Sequence, residues 1–296
     1  MQHLLLATDF SAPADLALVR ALALARIHQA RLTIAFVDSP SDVAGLGPET
    51  ELASRELQNL QAEMAAYEDE QLAARVAQAV AAGVEATAVH RHGQPEETLA
   101  ALASELDVDL IACGTHGRTG VRRFFLGSVA ERLGRLAARP VLVARGAAGD
   151  GRYHKVLVAT DFAPAAERAL DLALELAPDA TFEVVNAWQY PVGSWGMSAL
   201  GDRTGAMTAL REALTAPPAE QGARLEQRFR DLGRPVRFRL VHGGAADVIT
   251  ELAAAEGFDL VAVGTHGHRG LRRLVVGSTA EAIIRHAPCS VLVAHG

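Results

Sequence analysis

The chain has 296 residues, of which 50% are hydrophobic and 21% charged, and it carries a formal net charge of −7. This is an ordinary globular composition, and its acidic balance implies no general affinity for nucleic acids or membrane surfaces. The length predicts two domains. No apolar run approaches the roughly 18 residues of a membrane span. The apolar start around Leu4 predicts a short strand rather than a signal peptide, so we expect a cytoplasmic protein.

The two cysteines, Cys113 and Cys289, each lie in or beside an apolar run. We expect both to be buried as small hydrophobic side chains, which is favoured over a disulfide. Two cysteines in a chain of this length also suit a reducing compartment.

Strand and helix patterns alternate through the first half of the chain. The hydrophobic periodicity predicts strands near residues 3–8, 32–37, 84–90, 108–113 and 140–144. It predicts helices near 12–29, 51–82, 95–106 and 128–138. Ser11 is expected to cap the first helix, with Pro13 in its first turn. Such alternation predicts a parallel sheet with helices on both faces.

The second half of the chain repeats the first. Asp9 recurs as Asp161, an offset of 152, and residues 114–144 match residues 264–294 at 17 of 31 positions. A two-copy repeat of this length predicts two domains rather than a solenoid. We place these domains at residues 1–148 and 152–296.

Two segments differ from regular structure in this interpretation. Residues 146–151, rich in glycine and alanine, are predicted to form a short flexible linker between the domains. Pro217 and Pro218 are predicted to break the second long helix of the second copy, because proline removes an amide donor.

Each copy carries three glycines between a buried strand and a helix. They are Gly114, Gly117 and Gly127 in the first copy and Gly264, Gly267 and Gly277 in the second. A glycine-rich turn before a helix can present backbone N–H groups to a phosphate, and glycine permits close approach. The common phosphate-binding patterns GxxxxGK[ST] and GxGxxG are absent.

A structural alternative exists for this stretch: the glycines serve only a tight turn. Ser128 with Glu131, and Ser278 with Glu281, have the spacing of a capping box. The two interpretations are compatible, because a capped helix start can still bind an anion.

Charged side chains surround the glycine-rich stretch. In an open α/β sheet, ligands bind beyond the carboxyl ends of the strands where the strand order reverses, which would bring Asp9 and Gly114 together. A carboxylate there suits a ribose hydroxyl or an adenine amine better than a phosphate; alternatively, Asp9 caps the first helix. The basic residues between the glycines either neutralise phosphate or form a solvated face. They are Arg118, Arg122, Arg123, His268, Arg269, Arg272 and Arg273.

These motifs resemble the universal stress protein family in its tandem form. The resemblance covers essentially the whole chain and rests on Gly-x2-Gly-x9-Gly-[Ser/Thr] and on Ala-Thr-Asp ending the first strand, both present in each half. The turn at residues 92–95 and the closing residues 286–293 are also similar to the family. The chain departs from the pattern at Ala245, where proline is usual, and at residues 136–139.

The resemblance implies two tandem flavodoxin-like (HUP-type) α/β domains, each a five-stranded parallel sheet of order 3-2-1-4-5, that bind ATP, with or without Mg²⁺. It assigns ribose and adenine to Ala7, Thr8 and Asp9, with the Val37 backbone at the adenine edge. It assigns the phosphates to Gly114, His116, Gly117, Gly127, Ser128 and Val129. The matching residues of the second half are Ala159, Thr160, Asp161, Ala187, Gly264, His266, Gly267, Gly277, Ser278 and Thr279.

The implied function is an ATP- or adenine-nucleotide-binding regulatory protein in stress adaptation that acts on an unidentified protein effector. The resemblance further implies that the last strands of the two halves pair, giving an intrachain pseudo-dimer; a homodimer is left open. One alternative is a slow ATPase or nucleotidyl transferase, with His116 and His266 as candidate acids. Another is a scaffold that dimerises without nucleotide. We assign no catalytic residue and no metal site, because no nucleophile motif or carboxylate pair lies near the loop.

Overall fold

Strands and helices alternate in each half of the computed structural model. It describes residues 1–39, 51–115, 128–191, 205–265 and 277–295, without the side chains of residues 51–57 and 128. The chain divides into two units, Met1–Arg152 and Tyr153–Gly296.

The first unit contains five strands and four helices among its described residues. They are β1 His3–Ala7, α1 Ala12–His28, β2 Arg31–Asp38, α2 Glu51–Ala81, β3 Ala86–His92, α3 Pro95–Glu105, β4 Leu110–Gly114, α4 Ser128–Leu136 and β5 Val141–Ala144. The strands pair in parallel in the order β3-β2-β1-β4-β5. This order confirms the prediction, and it reverses between β1 and β4.

The second unit repeats this arrangement. Its elements are β6 Lys155–Ala159, α5 Pro164–Leu176, β7 Thr181–Trp188, α6 Ala206–Asp231, β8 Val236–His242, α7 Ala245–Ala255, β9 Leu260–Gly264, α8 Ser278–His286 and β10 Ser290–Ala294. The strands are again parallel, in the order β8-β7-β6-β9-β10.

The central strands are covered on both faces. Leu4, Leu5 and Leu6 are each at most 1% exposed, and successive side chains of a strand point to opposite faces. Such strands are typical of parallel sheets with helices on both sides. The two cysteines are buried thiols, as predicted, and burial raises the pKa of Cys113 to about 12.

Helix α6 passes through Pro217 and Pro218 without interruption, so the predicted break is wrong. The prolines lie on the part of the helix before its buried residues, Gly222 and Phe229, and the contacts of α6 with β8 hold the helix despite the lost donors. A Cβ at Gly222 would overlap the ring of Phe238, so glycine here admits that ring. The sequence-based prediction considered the proline alone and not this packing.

The last residues of the first unit are anchored to α1, in contrast to the flexible linker that we predicted at residues 146–151. The buried guanidinium of Arg20 donates to the carbonyl oxygen of Ala147 at 2.7 Å and also to that of Arg152. A Cβ on Gly151 would lie 2.7 Å from the Cβ of Ala23, so this glycine packs directly on the helix. A composition rich in glycine and alanine therefore does not prevent this segment from being fixed to the helix.

Among the described residues, every helix falls short of the combined length and hydropathy that crossing a bilayer requires.

Candidate functional site

The first strand of each unit leaves the sheet through the same turn. The amide of Thr8 donates to the carbonyl of Ala35 and that of Thr160 to Val185, both at 2.9 Å. Each threonine hydroxyl then accepts from the amide two residues later, at 3.1 Å in the first unit and 2.9 Å in the second. These later residues are phenylalanines in the left-handed region, with φ of 66° and 60°. The turn is thus fixed by backbone and side chain together.

The aspartates of this turn orient the start of the following helix. Asp9 Oδ1 accepts from the Ser11 amide at 3.1 Å and from its hydroxyl at 2.5 Å, and Asp161 Oδ1 accepts from the Ala163 amide at 3.0 Å. Ser11 is the N-cap of α1, as predicted, with its hydroxyl 3.4 Å from the Ala14 amide. The alternative that Asp9 itself caps the helix is wrong. In both units, one carboxylate oxygen therefore accepts hydrogen bonds within the turn.

The first glycine of each loop makes room for a helix. A Cβ on Gly114 would lie 2.6 Å from the carbonyl carbon of Pro13 and 2.8 Å from the Ala14 nitrogen. A Cβ on Gly264 would meet Ala165 at 2.5 Å in the same way. These distances are too short for any side chain, so glycine lets the end of β4 or β9 pack against the helix that follows the Thr-Asp turn. The end of β4 thus lies against the helix that follows Asp9 in the chain.

The third glycine of the second unit closes its loop. The Gly277 amide donates to the carbonyl of Thr265 at 2.7 Å, and the Thr265 amide donates to Ala294 at 2.9 Å. The Gly277 amide is therefore engaged within the protein in this conformation. The amides of Ser278 and Thr279, in the first turn of α8, lack intrahelical acceptors and lie at the positive end of the helix dipole.

The capping box proposed for Ser278 and Glu281 is absent. Gly277 is the N-cap, with no side-chain cap hydrogen bond, and Ser278 is the first helical residue and exposed. Glu281 instead pairs with Arg285 at 2.9 Å. In the first unit Glu131 pairs with Arg135 at 2.9 Å, and the Ser128 side chain lies outside the described part.

The described members of the predicted site share one end of each sheet. In the first unit, the carboxyl-terminal ends of β1, β2 and β4 carry Ala7, Thr8, Asp9, Val37 and Gly114. In the second unit, the ends of β6, β7 and β9 carry Ala159, Thr160, Asp161, Ala187 and Gly264. Ser128, Val129, Gly277, Ser278 and Thr279 lie at the starts of α4 and α8. His116, Gly117, Gly127, His266, Gly267 and the basic residues between the glycines lie outside the described residues.

The two sets of residues differ in exposure. Ala7, Thr8 and Val37 are buried, whereas their counterparts Ala159, Thr160 and Ala187 are half-buried and Asp161 is exposed. In the first unit the rings of Phe10 and Phe36 stack at 4.7 Å, and the guanidinium of Arg75 lies 4.8 Å over Phe10. In the second unit Asn186 stands where the first has Phe36, and it donates to the Thr160 carbonyl at 2.8 Å.

Sequence reasoning missed an ion pair between α3 and α4. Glu96, buried at the start of α3, pairs with Arg132 of α4. Burial alone would raise the pKa of Glu96, but the hydrogen bond from Arg132 holds it below its usual value. The second unit has Ala246 and Ala282 at these positions. Aligning the two copies would have revealed this paired exchange.

Sequence reasoning also missed an aromatic cluster at the end of β7, formed by Trp188, Tyr190 and His242. The pairing register of β7 with β8 could have indicated it, since Trp188 is directly opposite His242. No group of three or more histidine, cysteine, aspartate or glutamate residues is placed to hold a metal ion within the described ranges.

Comparison with known proteins identifies the family. The model of the universal stress protein family matches residues 1–145 and again residues 152–295. The chain belongs to the universal stress protein family. This finding and the strand order confirm the resemblance seen in the sequence and the tandem α/β fold.

Relatives of this universal stress protein occur in archaea and bacteria. A universal stress protein of Methanocaldococcus jannaschii is 28% identical over 146 residues, which cover 49% of this chain and 84% of that protein. One of Mycobacterium tuberculosis is 28% identical over 205 residues, covering 68% of this chain and 65% of the relative. The chain thus matches less than two thirds of the mycobacterial protein's length.

Solved structures share the fold of the full chain. A universal stress protein of Archaeoglobus fulgidus superposes with a TM-score of 0.69 at 19% identity, covering 99% of this chain and 98% of that one. A putative universal stress protein of Pseudomonas aeruginosa gives 0.62 at 19% identity, covering 100% and 93%. At this identity the likeness establishes the fold alone.

Proposed function

We propose that this universal stress protein binds an adenine nucleotide in each unit and acts as a regulatory protein in stress adaptation, signalling nucleotide occupancy to a protein effector. The observation that carries the proposal is the duplicated Thr-Asp turn, whose following helix packs on Gly114 or Gly264 at the start of a glycine-rich stretch. Ligands of open α/β sheets bind at this end, where the strand order reverses.

Each part of the site has a chemical role in this proposal. Asp9 and Asp161 accept from ribose hydroxyls or the adenine amine, since carboxylates are acceptors. The backbone of Val37 or Ala187 contacts the adenine edge. The glycine-rich stretch and the first turns of α4 and α8 receive the phosphates, because helix N-termini favour anions. ATP is the nucleotide that we propose, with or without Mg²⁺.

Variants of the second glycine in each loop test the nucleotide sites. Gly117→Val and Gly267→Val place a branched side chain where a phosphate must approach, so each should remove one of two ATP sites. Isothermal titration calorimetry of the two variants measures this directly. Two sites remaining in both variants would contradict the assignment.

We further propose that ATP acts as a ligand and is hydrolysed very slowly. Hydrolysis requires an oriented water and usually a metal held by the protein. Asp9 and Asp161 have an oxygen engaged in their turns and are assigned to the sugar end, far from the terminal phosphate. A single-turnover assay with labelled ATP and Mg²⁺ should therefore give rates well below roughly 1 per second. Faster turnover that is abolished by His116→Ala together with His266→Ala would make the protein an ATPase.

A further inference from the structure

The second strands of the two units end in side chains of different chemical character. In the first unit β2 ends at Asp38, whose carboxylate lies 3.5 Å from His92 Nδ1 on the neighbouring strand. In the second unit β7 ends at Trp188, opposite His242. The histidine is thus repeated, whereas the carboxylate of one unit is an indole in the other. Each of these residues directly follows the residue assigned to the adenine edge, Val37 or Ala187.

Trp188 is held in a defined position. The Gly243 amide donates to its carbonyl oxygen at 2.8 Å. Its ring centroid lies 4.6 Å from that of His242, with the planes 61° apart, and 5.3 Å from that of Tyr190, with the planes 74° apart. Such edge-to-face contacts orient an aromatic ring. The side chain is half-buried, so part of the indole remains accessible to solvent.

The described residues beside Trp188 differ from those beside Asp38 in the first unit. There, Phe10 and Phe36 stack on each other beneath Arg75, and Val37 is buried. In the second unit Asn186 replaces Phe36, and Ala187 is half-buried. Among the described residues, the ring of Phe162 instead lies 5.8 Å from that of Phe238, so the end of β7 has no counterpart of the Phe10–Phe36 stack.

We propose that the second unit holds the tighter of the two nucleotide sites and that Trp188 is the platform on which its purine base stacks. This inference rests on the nucleotide binding proposed above and adds a specificity-determining residue to it. Stacking of a base on an aromatic side chain strengthens binding by roughly 5- to 150-fold, as measured by alanine substitution. The first unit has the carboxylate of Asp38 at the same position, which presents no aromatic face to a base.

Intrinsic fluorescence isolates the proposed platform. The chain has two tryptophans, so Trp195→Phe leaves Trp188 as the sole indole. Titration of this variant with ATP should quench the remaining emission, with the midpoint of the tighter of two calorimetric sites. That response requires no disruptive substitution, so it tests the proposal even where a variant of Trp188 folds poorly.

Substitution separates stacking from a purely structural role. Trp188→Ala should weaken the tighter site at least roughly fivefold, while Trp188→Phe, which keeps an aromatic face, should stay within about twofold of the wild type. Asp38→Ala, at the matching position of the first unit, should leave the tighter site unchanged. Circular dichroism checks that each variant is folded.

The outcomes distinguish this inference from the proposed function. Two ATP sites with unchanged constants in Trp188→Ala, and no change in Trp188 emission on titration, would overturn the stacking platform and leave nucleotide binding intact. No ATP binding to either unit would contradict the proposed function itself. Loss of the tighter site in Asp38→Ala but not in Trp188→Ala would place that site in the first unit and also overturn the inference.

Discussion

Gly114 and Gly264 each end a strand, with the first turn of a helix packed directly on the α-carbon. The sequence pattern suggested that their lack of a side chain serves phosphate approach, whereas the structure gives a packing reason. The glycine pattern therefore combines two requirements. The first glycine of each loop lets the helix pack close to the strand. The second glycine is predicted to let a phosphate approach the backbone, and this role stays a prediction.

Gly114→Ala separates these requirements. The added methyl group would contact Pro13 and Ala14 backbone atoms at 2.6–2.8 Å, so strand or helix must move. We expect the free energy of unfolding to fall by about 1–3 kcal/mol, the usual cost of overpacking. Urea denaturation measures it, and Gly264→Ala should behave alike in the second unit. A variant of wild-type stability that has lost ATP binding would show that the glycine serves the ligand instead.

At the scale of elements, an aspartate before β4 ties the start of β1 to its neighbour. Asp109 Oδ2 accepts from the amides of Gln2 at 2.5 Å and His3 at 3.0 Å. Asp259 accepts from His154 and Lys155 in the same way. Partial burial raises the pKa of Asp109, but the two amide hydrogen bonds outweigh this effect and lower it below its ordinary value of 3.8.

This arrangement predicts a pH-dependent contribution to stability. A carboxyl group with a lowered folded-state pKa stabilises the fold above its unfolded pKa, and the contribution is lost as the pH falls through the folded value. Asp109→Asn should therefore unfold more easily at pH 7, by about 1 kcal/mol. The difference from the wild type should shrink as the pH falls below 3.8. Urea titrations across this range test it; a difference independent of pH would contradict the charge-based account.

The hydrogen bonds from Arg20 to residues 147 and 152 predict how readily a protease cuts this segment. Arg20→Leu removes the donors to Ala147 and Arg152, so residues 145–152 should become more accessible to protease. Leucine is the residue at the equivalent position of α5, Leu172, so the helix itself should tolerate the change. Limited trypsin digestion should cut at Arg145 or Arg152 several-fold faster. Arg26→Leu, an exposed change on the same helix, is the control, and equal cleavage rates in both variants would contradict the anchoring role.

Local patterns predicted the elements and the parallel sheet, because alternating apolar strands and helices leave few topologies open. The strand order was implied by the resemblance to the universal stress protein family. Contacts between segments that are distant in the sequence were harder to predict. The passage of α6 through Pro217 depends on packing against β8, and the role of Gly114 depends on the approach of α1. The N-cap at Gly277 depends on its amide reaching the Thr265 carbonyl, which displaces the capping box that the spacing suggested.

At the scale of the whole molecule, two copies of one fold have acquired different surroundings for the same predicted residues. In the first unit the rings of Phe10 and Phe36, which directly follow Asp9 and precede Val37, stack beneath Arg75. In the second unit Asn186 and Trp188 flank Ala187. An ion pair joins α3 to α4 in the first unit, where the second has alanines. Duplication with such differences favours two related sites of unequal affinity over two identical ones.

The proposed nucleotide binding can be measured by calorimetric titration of the purified chain with ATP. The protein is first denatured, any released nucleotide is identified by chromatography, and the protein is refolded. We expect two ATP molecules bound per chain, with dissociation constants that differ at least roughly fivefold. Absence of binding in the refolded protein, with no adenine nucleotide released from the original preparation, would contradict the proposed nucleotide binding.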